Sequence, residues 1–221
     1  QCMTAYRSSR VFSSAGSYAA ILLAGVVACA ASMAGHPQPG RLSAVHADTA
    51  ALRKKLDSIA DAHHGVVGYS VIDLETGARI DRRGDETFPT ASLIKVAILV
   101  TVYDLVAKGQ LSLDDPLTVL KIDQVPGSGI LQFLHNGTIL TVHDAAWLMS
   151  TISDNTATNL VLDVITADAV NARMDALGLK QTRSLRKVIS GGESRAWQDP
   201  DLRRFGLGVS TPREMVTLLE K

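Results

Sequence analysis

Thr90-Ala91-Ser92-Leu93-Ile94-Lys95-Val96-Ala97-Ile98-Leu99-Val100-Thr101-Val102-Tyr103-Asp104-Leu105-Val106-Ala107-Lys108-Gly109 is the stretch on which the reading of this chain turns. A threonine suited to an N-cap opens it and a glycine suited to a C-terminal stop closes it, so a helix is predicted from Thr90 to Lys108. Between Val96 and Val106 only Thr101 and Asp104 interrupt the apolar run. A helix apolar on nearly every side has to be enclosed by others, which places it at the centre of a helical domain. Ser92 and Lys95 sit three apart at its first turn and share a face, so the lysine amine is expected to reach the serine hydroxyl. A hydroxyl becomes a nucleophile when a base takes its proton, and a partly buried lysine with a depressed pKa is such a base. The helix N-terminus also favours negative charge developing beside Ser92. Alone the pattern is weak, because chance supplies about one Ser-x-x-Lys in a chain of this length.

Working outward, Leu52, Leu56 and Ile59 recur among Arg53, Lys54, Lys55 and Asp57, the pattern of an amphipathic helix lying on a sheet. Val66–Ile72 reads as the first strand, Glu75-Thr76-Gly77 as a turn, and Ala78–Asp81 as the second strand. After Phe88-Pro89 the character becomes helical. Thr141-Val142-His143-Asp144 is a capping-box pattern, further helices are predicted from Thr156 and over 167–177, and Gly178 ends the latter. Residues 184–210 show no sustained period and read as one long loop, the kind usually tied to function. Thr211-Pro212-Arg213-Glu214 opens a last helix.

The chain carries 22 Lys+Arg against 22 Asp+Glu, and its mean hydropathy is +0.14. Neither figure describes one domain. No acidic residue precedes Asp48, and Arg7 and Arg10 flank Tyr18–Ala34, where 15 of 17 residues are apolar. A basic flank, a short apolar run and small residues at its end describe an export signal better than a membrane span. Residues 1–34 therefore read as a leader and 35–47 as a linker. Residues 48–87 read as the start of an α/β sheet domain and 88–221 as a helical domain. The product is expected to be periplasmic or secreted and monomeric. Val26-Val27-Ala28-Cys29 loosely resembles a lipobox that would lipidate Cys29, and cleavage near Ser32-Met33-Ala34 is the alternative. Balanced charge without a basic stripe argues against nucleic acid as partner. Cys2 and Cys29 both fall in the leader, so the remainder offers no disulfide or thiolate metal site, and no metal or cofactor is expected.

A second motif gives the first its weight. Ser153-Asp154-Asn155 lies 61 residues after Ser92, between two predicted helices. Ser153 could relay a proton, Asn155 could hydrogen-bond both Lys95 and a substrate amide, and Asp154 could fix the turn from behind. A lone triplet of this kind reads as a helix cap, but the two motifs in this order and at this spacing are far more specific.

With these residues the chain resembles the class A serine beta-lactamase family, over about residues 48–221. Thr90–Lys95 matches the nucleophile motif, Ser153-Asp154-Asn155 the second motif, and Gly127-Ser128-Gly129-Ile130-Leu131 a substrate-side loop. The resemblance implies an α/β (α+β) beta-lactamase-like fold: a mainly helical domain beside an antiparallel sheet with a flanking helix, of which only the first two strands are expected. It implies that Ser92 is acylated by a lactam carbonyl, with Lys95 as base or its partner. Ser153 would shuttle the proton, Asn155 and Gly129 would bind substrate, and Asp154 would be structural. The Ser92 backbone N–H would form half of an oxyanion hole. The implied substrates are a beta-lactam or a peptidoglycan-like peptide.

Two departures shape the expectation. The family's third motif, Lys-Thr-Gly, lies about a hundred residues beyond the second, whereas 66 residues follow Asn155. The sequence is therefore expected to be incomplete at its C-terminus and its activity impaired. In the long loop, the family's water-activating glutamate aligns with Val188. Glu193, five positions later, is the remaining candidate for that catalytic role, against the plainer reading of a solvated carboxylate. A D,D-peptidase or other amidase, and a non-catalytic penicillin-binding or sensor module, are the rival functions. His135 and His143 receive no chemistry. Trp147 is expected to pack and Trp197 to anchor the loop.

Overall fold

The computed structural model describes residues 49–189 and 191–221. The leader read at 1–34, with Cys29, and the linker at 35–47 lie outside them. Helix α1 (Thr49–Asp61) leads into a hairpin of β1 (Tyr69–Ile72) and β2 (Arg79–Arg82), with Tyr69 opposite Arg82 and Ile72 opposite Arg79. The turn forms where expected, because Asp73 Oδ1 accepts the Glu75 and Thr76 amides and Gly77 takes φ +72°. The first strand starts later than Val66. Gly68 lies so close to the Phe88 ring that a Cβ would come within 2.7 Å of it, so packing rather than pairing governs 66–68.

After β3 (Phe88–Pro89) a 3-10 turn at Ala91–Ile94 runs into α2 (Lys95–Ala107). Thr90 does not cap this helix. Its amide donates to Gly208 O at 2.9 Å, and its hydroxyl is turned inward, buried without a partner. Ala91 instead makes the corner with φ +45°, unusual for a residue with a side chain. The expectation of an enclosed helix holds, since Ile94, Ala97, Ile98 and Val102 are all 0% exposed. Their neighbours include α3 (Val142–Thr151), α4 (Asn155–Ile165) and α5 (Ala167–Ala176). The capping box is complete: Thr141 Oγ1 accepts the Asp144 amide and Asp144 Oδ2 accepts the Thr141 amide.

Ahead of α3, β4 (Pro116–Val119) pairs antiparallel with β5 (Thr138–Thr141), a ladder not anticipated from the sequence. The region read as an unstructured loop also holds more order than expected. It is bounded by β6 (Arg183–Ser184) and β7 (Gly208–Ser210), which join β3 in the order β3-β7-β6, and it contains a 3-10 turn at Arg195–Gln198 and the short α6 (Pro200–Arg203). Its ends are paired while its middle stays polar and irregular, so no sequence period survives. Trp197 lies under the Arg186 guanidinium, 4.9 Å from the ring centre, inside this loop. Trp147, expected to pack, is 56% exposed. Helix α7 (Pro212–Glu220) returns to β1, and Arg79 pairs with Glu220. Among the described residues no helix is long and apolar enough to cross a membrane.

Candidate active site

The turn between α3 and α4 carries Ser153 at φ +58°, a left-handed conformation that costs energy for any residue but glycine. Its consequence is geometric. In this conformation both the Ser153 carbonyl and the Ser153 hydroxyl face Lys95, whose Nζ donates to them at 2.8 and 2.9 Å. The third ammonium hydrogen goes to Asn155 Oδ1 at 3.1 Å. Lys95 thus spends all three donors on this turn, and the expected direct bond to Ser92 is not formed. The link to Ser92 runs through Ser153, whose Oγ donates to Ser92 Oγ at 3.0 Å.

Exposure divides the labour. Ser92 is open to solvent while Lys95 is 4% exposed. Burial lowers the lysine pKa from 10.5 to about 8, and the nearby Asp154 charge opposes part of that shift. A small cleft of about 150 Å³ lies at Ser92, lined also by Lys95, Leu99, Met149 and Ser153. It meets, at Leu93, a mostly apolar groove of about 450 Å³ between residues 66–70 and Phe88–Thr90.

Asp154 acts from behind. It is 1% exposed, caps α4 by accepting the Ala157 amide on Oδ1, and accepts the Ile130 and Leu131 amides on Oδ2 at 2.7 and 2.9 Å. Three N–H bonds satisfy the buried carboxylate. The neighbouring loop is stitched on by Val125 N to Thr156 Oγ1, Asn155 Nδ2 to Pro126 O, and Asn155 N to Ser128 O. Gly129 touches Asp154 so closely that a Cβ would fall 2.2 Å from the carboxylate carbon, which explains the glycine at φ +104°.

Val188 is held by a residue that sequence reasoning missed. Asn159, 5% exposed, accepts the Val188 amide on Oδ1 at 2.8 Å and donates Nδ2 to Val188 O at 3.2 Å. Asn155 and Asn159 are four apart on α4 and share a face, so Val188 is fixed one helical turn from the partner of Lys95. Asn171 holds Ser184 in the same two-bonded way, at 2.7 and 2.9 Å. The Asn155/Asn159 spacing was the one available signal. Glu193 is not brought to Ser92, Lys95 or Ser153. Its exposed carboxylate accepts the Gly191 amide of its own loop. His143 faces Asp144 on the surface at 3.6 Å. Among the described residues no group of three or more His, Cys, Asp or Glu converges as metal ligands.

The site is thus an exposed serine linked through a second serine to a buried lysine of lowered pKa. The model of the beta-lactamase enzyme family matches residues 51–221, and the chain belongs to that family, with the class A serine enzymes among its relatives. It is 30% identical over 174 residues to beta-lactamase CARB-4 of Pseudomonas aeruginosa, covering 76% of this chain and 55% of that protein. It is 31% identical over 175 residues to beta-lactamase AER-1 of Aeromonas hydrophila, covering 79% and 55%. The crystal structure of a beta-lactamase from Sphaerobacter thermophilus superposes with a TM-score of 0.65 at 32% identity, over 76% of this chain and 60% of that one. PBP-A superposes at 0.64 with 29% identity, over 76% and 59%. The chain thus spans somewhat more than half the length of these relatives.

Proposed function

We propose that Ser92 is the acylated nucleophile of a beta-lactam-reactive hydrolase, and that the acyl-enzyme is released slowly. The observation that carries this is the continuous Ser92–Ser153–Lys95 wire, fixed by Asn155. The bond directions present belong to the lysine in its charged state. When Nζ loses one proton the wire reverses: Ser92 Oγ donates to Ser153 Oγ, which donates to the neutral amine. Attack then forms the Ser92 Oγ–carbonyl bond, the lactam C–N bond opens, and the proton passes back through Ser153 to the lactam nitrogen. The Ser92 backbone N–H is the proposed half of the oxyanion hole, and Asn155 the proposed substrate contact.

Release requires a base to activate water. The backbone clamped by Asn159 presents an apolar Val188 there, which cannot take a proton. This favours a second reading, a penicillin-binding D,D-peptidase or sensor that stays acylated by beta-lactams. PBP-A, similar to this chain, has been solved as a point mutant in an acyl-enzyme complex with penicillin G. Export through residues 1–34, to a periplasmic or secreted monomer or one anchored by lipid at Cys29, belongs to the same proposal.

The test is intact-mass spectrometry with penicillin beside hydrolysis of a chromogenic cephalosporin. A Ser92 adduct that outlasts many minutes and vanishes in Ser92→Ala supports slow release. Sustained turnover points to an efficient lactamase, and no adduct sinks the reading.

A further inference from the structure

The loop between β4 and β5 holds two backbone carbonyls that depend on a single side chain. Gln132 donates from Nε2 to Gly127 O at 2.6 Å and to Gly129 O at 3.0 Å. Both neighbours are carbonyl oxygens, so only the amide nitrogen fits between them. Among the described residues no other group donates to either carbonyl. The two glycines carry φ +112° and +104°, and a Cβ on Gly127 would lie 2.6 Å from Asn155 Nδ2. This is a backbone with wide conformational freedom pressed against the amide that partners Lys95.

We infer that Gln132 is a positioning residue: by tying Gly127 to Gly129 it holds the 125–131 loop against Asn155 and so sets the rim on which a beta-lactam's side-chain amide docks. The chain of contacts is short. Gly127 follows Pro126, whose carbonyl accepts from Asn155 Nδ2, while Asn155 Oδ1 accepts from Lys95. Asp154 anchors the far side of the loop through Ile130 and Leu131 and the Asn155 amide holds Ser128 O, leaving the Gly127 and Gly129 carbonyls to Gln132. The consequence is felt in binding more than in the proton wire, because no bond of Ser92, Ser153 or Lys95 Nζ ends on Gln132.

This inference rests on the proposed acylation of Ser92. The experiment follows Ser92 acylation in the full chain against concentration of a fluorescent penicillin, for the wild type, Gln132→Ala and Gln132→Glu. Gln132→Glu keeps the size but sets acceptors against two acceptors, so it should do more harm than Gln132→Ala. The half-saturating concentration is expected to rise about tenfold in Gln132→Ala and further in Gln132→Glu. The limiting acylation constant should stay within about twofold, with the thermal midpoint unchanged. An unchanged half-saturation, or a loss confined to the limiting constant, overturns the inference. Should the wild type form no adduct, the functional reading fails, and amide exchange at Ile130 and Leu131 tests Gln132 by itself. Faster exchange in Gln132→Glu upholds the positioning role, and equal exchange overturns it.

Discussion

The turn at Ser153–Asn155 and the loop at Ser184–Val188 meet the same helix, yet they are built for different ends. The first is wired with ionic and hydroxyl groups: a buried carboxylate with three amide partners, a lysine with three acceptors, and a serine leading to Ser92. The second is held by neutral amides on backbone atoms, Asn171 at Ser184 and Asn159 at Val188. In the second region the Lys187 amine is paired with Asp163, and the residue held at its clamp, Val188, is apolar. Under the proposed function, forming an acyl-enzyme and releasing it would then draw on different regions.

The largest effect is expected from disarming the first region. Lys95→Met removes the base and is expected to lower the Ser92 acylation constant by about 10³-fold or more, read by adduct mass against time. A loss below about tenfold would show that the wire is not the route of the proton. Arming the second region comes next. Val188→Glu should shorten the adduct lifetime by about 10²-fold, the usual contribution of a placed general base. Adding Asn159→Ala to Val188→Glu should cancel most of that gain, because a carboxylate on an unheld backbone is not aimed. If Val188→Glu changes nothing while the adduct still forms, the clamp does not place this residue at the acyl group.

Asp154 tests the packing of the first region through stability. Asp154→Ala leaves the Ile130, Leu131 and Ala157 amides without their acceptor, and unpaired buried donors cost about 1–3 kcal/mol each when water cannot reach them. A net loss of about 3 kcal/mol in chemical denaturation is expected. Asn171→Ala, which frees one amide and one carbonyl at Ser184, should cost about 2 kcal/mol. A larger loss from Asn171→Ala than from Asp154→Ala would reverse the ranking of the two regions.

What could be seen in the sequence follows from the range of each interaction. The apolar surround of α2, the Thr141–Asp144 box and the Asp73–Gly77 turn are fixed by residues within a few positions of one another, so their spacing shows them. The pairing of Ser92 with Ser153 spans 61 residues and was recognisable only because two motifs recur together. The Val188 clamp spans 29 residues and joins an asparagine side chain to backbone atoms that every residue possesses, leaving no trace in residue type at 188. β4 and β5 are four residues each; β4 alternates, with Leu117 and Val119 turned inward, but so short a run carries little signal, and β5 does not alternate. Thr90 shows the converse: a good capping residue is turned inward once its amide is claimed by Gly208.

The smallest effect expected is that of pH, and its sign follows from burial. With its pKa lowered to about 8, Lys95 is about one-tenth neutral at pH 7 and about nine-tenths neutral at pH 9, so acylation of Ser92 should rise about tenfold over that interval. The same desolvation makes the charged lysine a cost to folding. The unfolded chain holds this proton up to about pH 10.5 and the folded chain only up to about 8, so the cost is fully present below pH 8 and relieved between 8 and 10.5. Stability from this group therefore rises with pH across the window in which activity climbs and then levels off. In Asn155→Ala, Lys95 loses one of three acceptors that favour its charged form, which moves both curves to lower pH. An acylation profile flat from pH 7 to 9, or one shifted upward in Asn155→Ala, would show that the amine does not take the proton and that the polar wiring of the first region serves structure alone.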